Sequence, residues 1–398
     1  MKKLTTSVLT AVLVSSFVLV DAQTKRDTAT KTKDIQEVVV TALGIKREQK
    51  ALGYSTTKVS GDDLTNTPSQ NFVNSISGKV SGVQVVASGG APGSASRLVI
   101  RGGAKSLTNS NEPLYVIDGV PISNANDGDS SNTVTGFASP NRAADINPDD
   151  IEDITILKGA AGAVLYGNRG SNGVVVITTK SGKNKSGKPV FEYSSQTSFE
   201  NALVLPDYQT KYAQGAGGVY REGTSLSWGP EITGQTVSSA GAGARYGLGA
   251  QSITLRAYDP RAQFLKTGYT TTNNFSVSQS INKSSYYLSA GYSNQSSIVP
   301  NQGYRKFNFR FNGETQLTEK LKSGINLSYN KSWGDVPYIG QDGNNPIFAL
   351  FHVPVSWDLQ GYGYERPNGR QINFRGGSFD NPYWSVYKNN AETTSDRY

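Results

Sequence analysis

Few residues in this 398-residue chain have the types and spacing that bond chemistry needs. Cysteine is absent and His352 is the single histidine, which argues against a zinc site of the usual ligands. A Ser-His-Asp triad would have to use His352. Its neighbours in "ALFHVPV" (349–355) are apolar, and the residue reads as packing. Asp149, Asp150, Glu152 and Asp153 could offer paired carboxylates of the kind that share acid and base work in glycoside cleavage. Their context, "NPDDIED" (147–153), reads first as a helix start, with Asn147 as cap, Pro148 at the first position and Asp150 at the third. "NANDGD" (124–129) hints at calcium but lacks the EF-hand spacing and its closing glutamate. "GAGARYG" (241–247) lacks the Gly-Lys-Ser/Thr of a phosphate loop. The expectation is no catalytic residue, no metal, no cofactor and no enzyme.

A chain without reactive groups must work through shape and surface, so the elements carry the argument. Hydrophobic residues make up 36% of the chain, low for one packed core, while 43 Gly and 21 Tyr suit a β-rich, turn-rich protein. At the amino terminus, Lys2 and Lys3 precede an apolar run to Val20 and a small-residue site that places cleavage between Ala22 and Gln23. Residues 1–22 therefore read as a secretory signal peptide. The alternative is a membrane anchor, but Thr and Ser interrupt the run and it is short for a spanning helix. No later stretch approaches a spanning helix, so membrane contact would be made by β-structure. Without cysteine an exported chain has no disulfide framework. The net charge of +8 is dispersed, its one cluster, "KSGKNKSGK" (180–188), reads as a linker, and export argues against nucleic acid as a partner.

Residues 23–50 read as a flexible segment holding one short β-branched run, "DIQEVVVTALG" (34–44), with no partner strand nearby. Residues 51–187 read as a compact α+β domain. Thr67-Pro68-Ser69-Gln70 is a capping-box start for a helix through Phe72, Val73 and Ile76, ending at Gly78. "VQVVA" (83–87), "RLVIR" (97–101), "PLYVIDG" (113–119), "ITILKG" (154–159) and "GVVVITTKSG" (173–182) read as strands, several of them apolar enough to be buried on both faces. From 188 to 398 the grammar changes to period-two alternation. "FEYSSQTSF" (191–199), "NNFSVSQSI" (273–281), "SSYYLSAGYSN" (284–294), "YRKFNFRFNGE" (304–314) and "LKSGINLSYNKSW" (321–333) set aromatic and aliphatic residues against Asn, Ser and Arg. That is the signature of antiparallel transmembrane β-barrel strands, here with long loops at 205–243 and 334–381. The competing reading is a soluble β-sandwich.

"EVVVTALGIKREQKALGYS" (37–55), "NEPLYVIDGVPI" (111–122) and "INPDDIEDITILKGAAGAVLYGNRGSNGVVVITTKSGKNKSGK" (146–188) together resemble the SusC/RagA family of TonB-linked outer-membrane transporters. The likeness is close over roughly 35–188, and "NNPIFALFHVPVSWDL" (344–359) extends it. The resemblance implies an α+β plug domain (51–187) followed by strands of a 22-stranded barrel (188–398). Localisation in the cell outer membrane follows. It also implies that Glu37, Val38, Val39, Val40 and Thr41 form a TonB box, the segment offered to TonB and its inner-membrane energising complex. A SusD-like surface lipoprotein, outer-membrane lipid and a small nutrient ligand would be the other partners. The plug motifs it marks contain Arg101, Gly102, Asp118, Gly119, Lys158, Gly159, Tyr166, Gly167, Arg169 and Gly170. Arg101 and Arg169 are candidates to pair with carboxylates on the inner wall. Asp118-Gly119 is expected to be a reversing turn without a contact role, and Lys158 and Tyr166 to pack.

A barrel of that class needs about 220 residues in strands alone, more than follow Lys188. The expectation is therefore a truncated, amino-terminal part of a transporter importing oligosaccharides or peptides. Rival readings are a passive porin-like or adhesive barrel, or a non-functional remnant. Tyr208, Tyr212, Tyr338, Trp357 and Tyr362 in the long loops could stack on sugars, though packing is the preferred reading.

Overall fold

The computed structural model describes residues 38–397 apart from 41–45, 49–54, 66–68, 70, 88–89, 103–111, 123, 125–134, 138–140, 184–186, 239–251, 337, 341–342 and 376–378. The expected signal peptide and its Ala22/Gln23 site, Glu37, Thr41, the expected capping residues Thr67 and Pro68, most of "NANDGD" and all of "GAGARYG" lie outside the described residues.

The valine run forms β1 (Val38–Val40), and it is not alone. It pairs antiparallel with β2 (Lys46–Glu48), with Val39 opposite Arg47. The expectation of a strand without a partner is corrected. "IKREQK", read as merely solvated, supplies the second strand of a hairpin.

The plug follows as β3 (Thr56–Ser60), the hairpin β4 (Val83–Ala87) and β5 (Ser96–Ile100), β6 (Leu114–Ile117), β7 (Val120–Ile122), β8 (Thr135–Phe137), β9 (Ile151–Leu157) and β10 (Val174–Thr179). Five of these make one sheet in the order β3-β9-β10-β6-β7, with β10 and β6 parallel and the other neighbours antiparallel. Both faces of its central strands are covered, which is why β9 and β10 read as continuous apolar runs. Ile154, Ile156, Val175, Ile177 and Tyr115 face a core closed by Leu64, Phe72, Val73 and Leu98. Leu157, Val174, Val176, Leu114 and Val116 face the other side, under Leu165 and Tyr166.

Three local expectations change. The helix begins at Asn71, whose side chain accepts from Val73 N, and runs only Phe72–Ser75. The Asn147-Pro148 start gives a single 3-10 turn, Pro148–Asp150, before the chain extends into β9. Ala160–Tyr166, unassigned from sequence, is helical.

Beyond the plug, six strands form one antiparallel sheet. They are β11 (Val190–Glu200), β16 (Gly268–Ile281), β17 (Ser284–Ser296), β18 (Gly303–Gln316), β19 (Lys322–Val336) and β21 (Ala391–Arg397), in that spatial order. Each expected alternating run is a strand, longer than its sequence signal. β21 is new, because "AETTSDR" has no apolar face yet pairs with β19 along its whole length. The wall is inside-out relative to a soluble sheet. Lys306, Asn308, Arg310 and Asn312 of β18 and Ser285, Tyr287, Ser289 and Ser293 of β17 are buried. Phe275, Tyr286, Leu288, Phe309, Ile325 and Leu327 are exposed on the opposite face. A soluble sandwich would bury those aromatics, whereas a barrel turns them to lipid and keeps polar groups inside.

The long connections are not bare loops. They carry the short hairpins β12 (Gly215–Ala216) with β13 (Val219–Tyr220) and β14 (Thr236–Ser238) with β15 (Ser252–Thr254). A core of their own is built from Phe264, Leu350, Val353, Trp357, Leu359, Phe374 and Phe379. His352 stacks within it, 4.6 Å from both Phe348 and Phe379 ring centres. Trp357 is 3% exposed, so it packs rather than offering a face to sugar. Finally β20 (Tyr338–Gly340) pairs with β8, joining this connection to the plug.

Candidate functional site: the plug seat

Between plug and wall lies a polar joint, built on the plug side mainly by residues 145–150. The sequence bends sharply there. Asn147 caps the 3-10 turn through Asp149 N at 3.2 Å, and Pro148 fixes the backbone that follows. The turn points successive polar groups at successive wall strands. Asn147 Nδ2 donates to Asn274 Oδ1 of β16 at 2.8 Å, and Asn274 Nδ2 donates in turn to Asp149. Ser194 of β11 donates to Asp149 Oδ1 at 3.2 Å. Tyr287 of β17 donates to Asp150 Oδ1 at 2.9 Å. Asn308 of β18 donates to the Asp145 carbonyl at 2.7 Å. Arg397 of β21 pairs with the Asp145 carboxylate at 3.1 Å.

Gly291 makes the closest approach possible. A Cβ there would sit 2.3 Å from Asn274 Oδ1 and 2.8 Å from Asn147 Nδ2.

Arg310 is the hub. Only 8% exposed, it lies 3.7 Å from Asp150 Oδ2 through Nε and 3.7 Å from Asp118 Oδ2 through Nη1. Asp118 and Gly119 form the tight turn between β6 and β7, both at positive φ (48° and 90°). The Asp118 carboxylate also accepts from Thr179 N at 2.9 Å and Thr179 Oγ1 at 2.7 Å. The turn thus has contacts beyond reversing the chain. Two residues along β18, Asn312 donates to Thr179 Oγ1 at 2.9 Å and to the Lys180 carbonyl at 2.8 Å.

The buried ion pairs of the joint set plug carboxylates against Arg310 and Arg397 of the wall, while Lys180 of the plug pairs with Glu192 of β11 at 3.6 Å. At Asp118, Asp145 and Asp150 this reverses the expected polarity. Arg101 and Arg169 are exposed, and among the described residues neither forms an ion pair. Lys158 is buried and donates to Ser81 Oγ at 3.2 Å. Tyr166 packs under the sheet. Gly102, Gly159 and Gly167 adopt positive φ, and Gly170 backs directly onto Gly162. These four glycines meet no wall residue, whereas Gly93 and Gly182 back onto Tyr304 and Tyr286 of the wall. The wall's contribution was present in the sequence as Lys306-x-Asn308-x-Arg310-x-Asn312, a period-two row too polar to face lipid.

Above the joint, a cavity of about 470 Å³ separates plug from wall. Hydroxyl and amide groups dominate its lining, among them Asn71, Ser94, Ser194, Thr272, Ser293 and Asn308. No group of three or more potential metal ligands gathers among the described residues.

Residues 48–174 match the family described as TonB-dependent Receptor Plug Domain. The chain is 33% identical over 314 residues to TonB-dependent receptor P26 of Formosa agariphila, covering 78% of this chain and 28% of that protein. It is 29% identical over 359 residues to TonB-dependent receptor SusC of Bacteroides thetaiotaomicron, covering 90% of this chain and 32% of SusC. Among solved structures, the RagAB peptide transporter superposes with a TM-score of 0.53 at 25% identity, over 71% of this chain and 31% of that one. The chain thus spans about a third of the length of these relatives. Plug, inside-out wall and these likenesses agree: the chain belongs to the SusC/RagA family of TonB-dependent outer-membrane receptors, and carries the plug with part of its barrel wall.

Proposed function

We propose that the chain supplies the gate of an outer-membrane importer for oligosaccharides or peptides. In this reading, ligand arrives on the side of the long connections, where a SusD-like lipoprotein covers the mouth. TonB, driven by its inner-membrane complex, takes hold of Glu37, Val38, Val39, Val40 and Thr41 by strand addition, in which main-chain hydrogen bonds give grip and alternate side chains give choice. Pulling there displaces part of the plug and opens a polar path.

The observation that carries this reading is the chemistry of the joint. Plug and wall meet through amides, hydroxyls and a few ion pairs at Asp118, Asp145, Asp149 and Asp150. Such groups can exchange their partners for water one at a time, each at a net cost of roughly 1 kcal/mol. An apolar joint would lose its whole burial energy at once. The plug's own apolar cores lie inside it, so it can move as folded pieces. One matched structure is described as a peptide transporter, which supports the peptide class, while the oligosaccharide class rests on the family resemblance.

The test is deletion of residues 35–42 in the intact gene, with growth measured on candidate oligosaccharides and peptides as sole nutrient. Growth should fail as it does on loss of TonB. Uptake indifferent to both changes would overturn the importer and favour a passive pore.

A further inference from the structure

The plug engages the inner face of the wall unevenly. At the joint Ser194, Asn274, Asn308 and Arg310 all meet plug groups. Beside the cavity of about 470 Å³ above the joint, the wall has a different surface. Register places Ser198 opposite Thr270 and Thr270 opposite Gln295. Two residues along, Gln196 stands opposite Thr272 and Thr272 opposite Ser293. Opposed residues of an antiparallel pair share a face, so these six make two rows across β11, β16 and β17, with the strands about 4.8 Å apart. All six line the cavity. Among the described residues, the side chains of Gln196, Ser198, Thr270 and Thr272 make no hydrogen bond or ion pair.

The plug leaves the space over these rows open. The loop of the β4–β5 hairpin touches the wall at β18, where Gly93 lies so close to the Tyr304 ring that any side chain would strike it. Beyond that contact Ala87, Gly90 and Ala91 border the cavity, and a Cβ at Gly90 would meet nothing within 4 Å. The charged groups of the lining are engaged elsewhere or stand at its edge. Asp149 accepts from Ser194 and Asn274, and Lys306 donates to the Ile146 carbonyl at 3.5 Å. Glu200 is exposed at the end of β11. What remains is hydroxyl and amide, able to donate and accept alike. Such a surface suits a ligand of the same kind, whose hydroxyls find partners in more than one position. A charged peptide would give up hydration for partners that carry no opposite charge. The volume lies in the range of small-molecule sites, roughly 300–1,000 Å³.

We propose that this cavity is a resting subsite for an uncharged, hydroxyl-rich stretch of the transported ligand, held by Gln196, Ser198, Thr270 and Thr272 beneath the β4–β5 loop. The subsite rests on the importer reading, and it selects the oligosaccharide from that reading's two ligand classes.

The chain has no cysteine, so a single introduced thiol reports on the cavity. Thr272→Cys and Ser198→Cys in the full chain, in detergent micelles, are labelled with a small maleimide, and circular dichroism serves as the fold control. Lys320→Cys, in the exposed turn between β18 and β19, is the reference. At least one of three neutral hexasaccharides, of glucose, mannose or galactose, should slow labelling of both cavity thiols about fivefold when present at about four times its dissociation constant. Hexalysine and hexaglutamate should leave both rates unchanged, and no ligand should alter the rate at Lys320→Cys. Thr270→Val keeps the shape and removes the hydroxyl, so in the Thr272→Cys background it should weaken sugar binding about fivefold, the worth of one hydrogen bond. Thiols that do not label, protection by none of the sugars, equal protection by the charged peptides, or protection indifferent to Thr270→Val overturns the proposal. Protection needs neither TonB nor residues 35–42. Its failure while uptake still depends on both sinks the subsite and leaves the importer standing. Sugar protection with uptake indifferent to both sinks the importer and leaves a sugar site in the cavity.

Discussion

At Arg310 one wall side chain answers two plug carboxylates, and neither contact is a tight bidentate pair, at 3.7 Å each. Removing the guanidinium strands Asp118 and Asp150 in a buried joint. Arg310→Gln is therefore expected to cost about 3 kcal/mol, the lower part of the range for breaking a buried pair. Asp118→Asn in the same background should recover part of that loss. Urea unfolding in micelles measures both, and a change below about 0.5 kcal/mol for Arg310→Gln would mean that water already screens the pair. Asp149 sits in the same joint but responds to pH. Burial pushes its carboxyl above the ordinary value of 3.8, and the Ser194 hydrogen bond and the Lys180 charge offset this only in part. An acid whose folded value is raised stabilises the fold fully below its unfolded value and loses that contribution as pH climbs through the folded one. The plug seat should thus be firmer in mild acid than at neutral pH. Asp149→Asn should flatten the stability profile above pH 3.8 and not lower stability at neutrality. A wild-type profile that rises with pH across that window would contradict the assignment.

The strands were legible where one physical rule dominated. Continuous apolar runs mean burial on both faces, and β9 and β10 obey. Strict alternation means one polar face, and β16 to β19 obey. What alternation alone does not decide is which face is covered. Lys306, Asn308 and Arg310 gave a polar row, but only the plug behind it turns that row into an inside surface. β21 escaped because it carries no apolar face at all. It is held by main-chain pairing and by Asp396, which meets Lys331 at 3.4 Å and the Tyr329 hydroxyl at 3.0 Å. The short helices repeat the cap-and-proline signal read at Thr67-Pro68 and Asn147-Pro148, which recurs at Asp259-Pro260, Asn345-Pro346 and Asn381-Pro382. Each acidic or amide side chain caps the turn that its proline begins. Asn381 does most, accepting from Tyr383 N at 2.9 Å and donating to the Ile372 carbonyl at 2.8 Å while fully buried. Asn381→Ala should cost about 2 kcal/mol, combining a lost cap with a stranded carbonyl. Hydrogen exchange should report faster opening of 382–388 and 363–374 with β16 to β18 unchanged. Uniform loosening of the wall would show that this core is not an independent unit.

Across the whole molecule, the plug touches the outer connections by a second route besides the polar joint. β8 lies between β7 and β9 in the chain, yet it pairs with β20, placing Gly136 opposite Ile339 and Phe137 opposite Tyr338. β20 leads directly into the core that holds His352, Trp357 and Phe379. Three backbone pairs are easily broken and re-formed, so the ladder suits a contact that yields when the plug moves. A displaced plug must drop it, and a closed mouth can re-make it. The chain contains no cysteine, which permits a clean lock. Opposed residues of an antiparallel pair stand about 4.5–5.5 Å apart at Cα, within the span a disulfide accepts. Gly136→Cys with Ile339→Cys, oxidised in intact cells, should abolish nutrient uptake when the chain's gene is complete. A reductant should restore it, and each single variant should transport normally. Normal uptake through the oxidised double variant would mean that the plug opens without parting from β20, and the movement would then have to lie in the segment between β1 and β7.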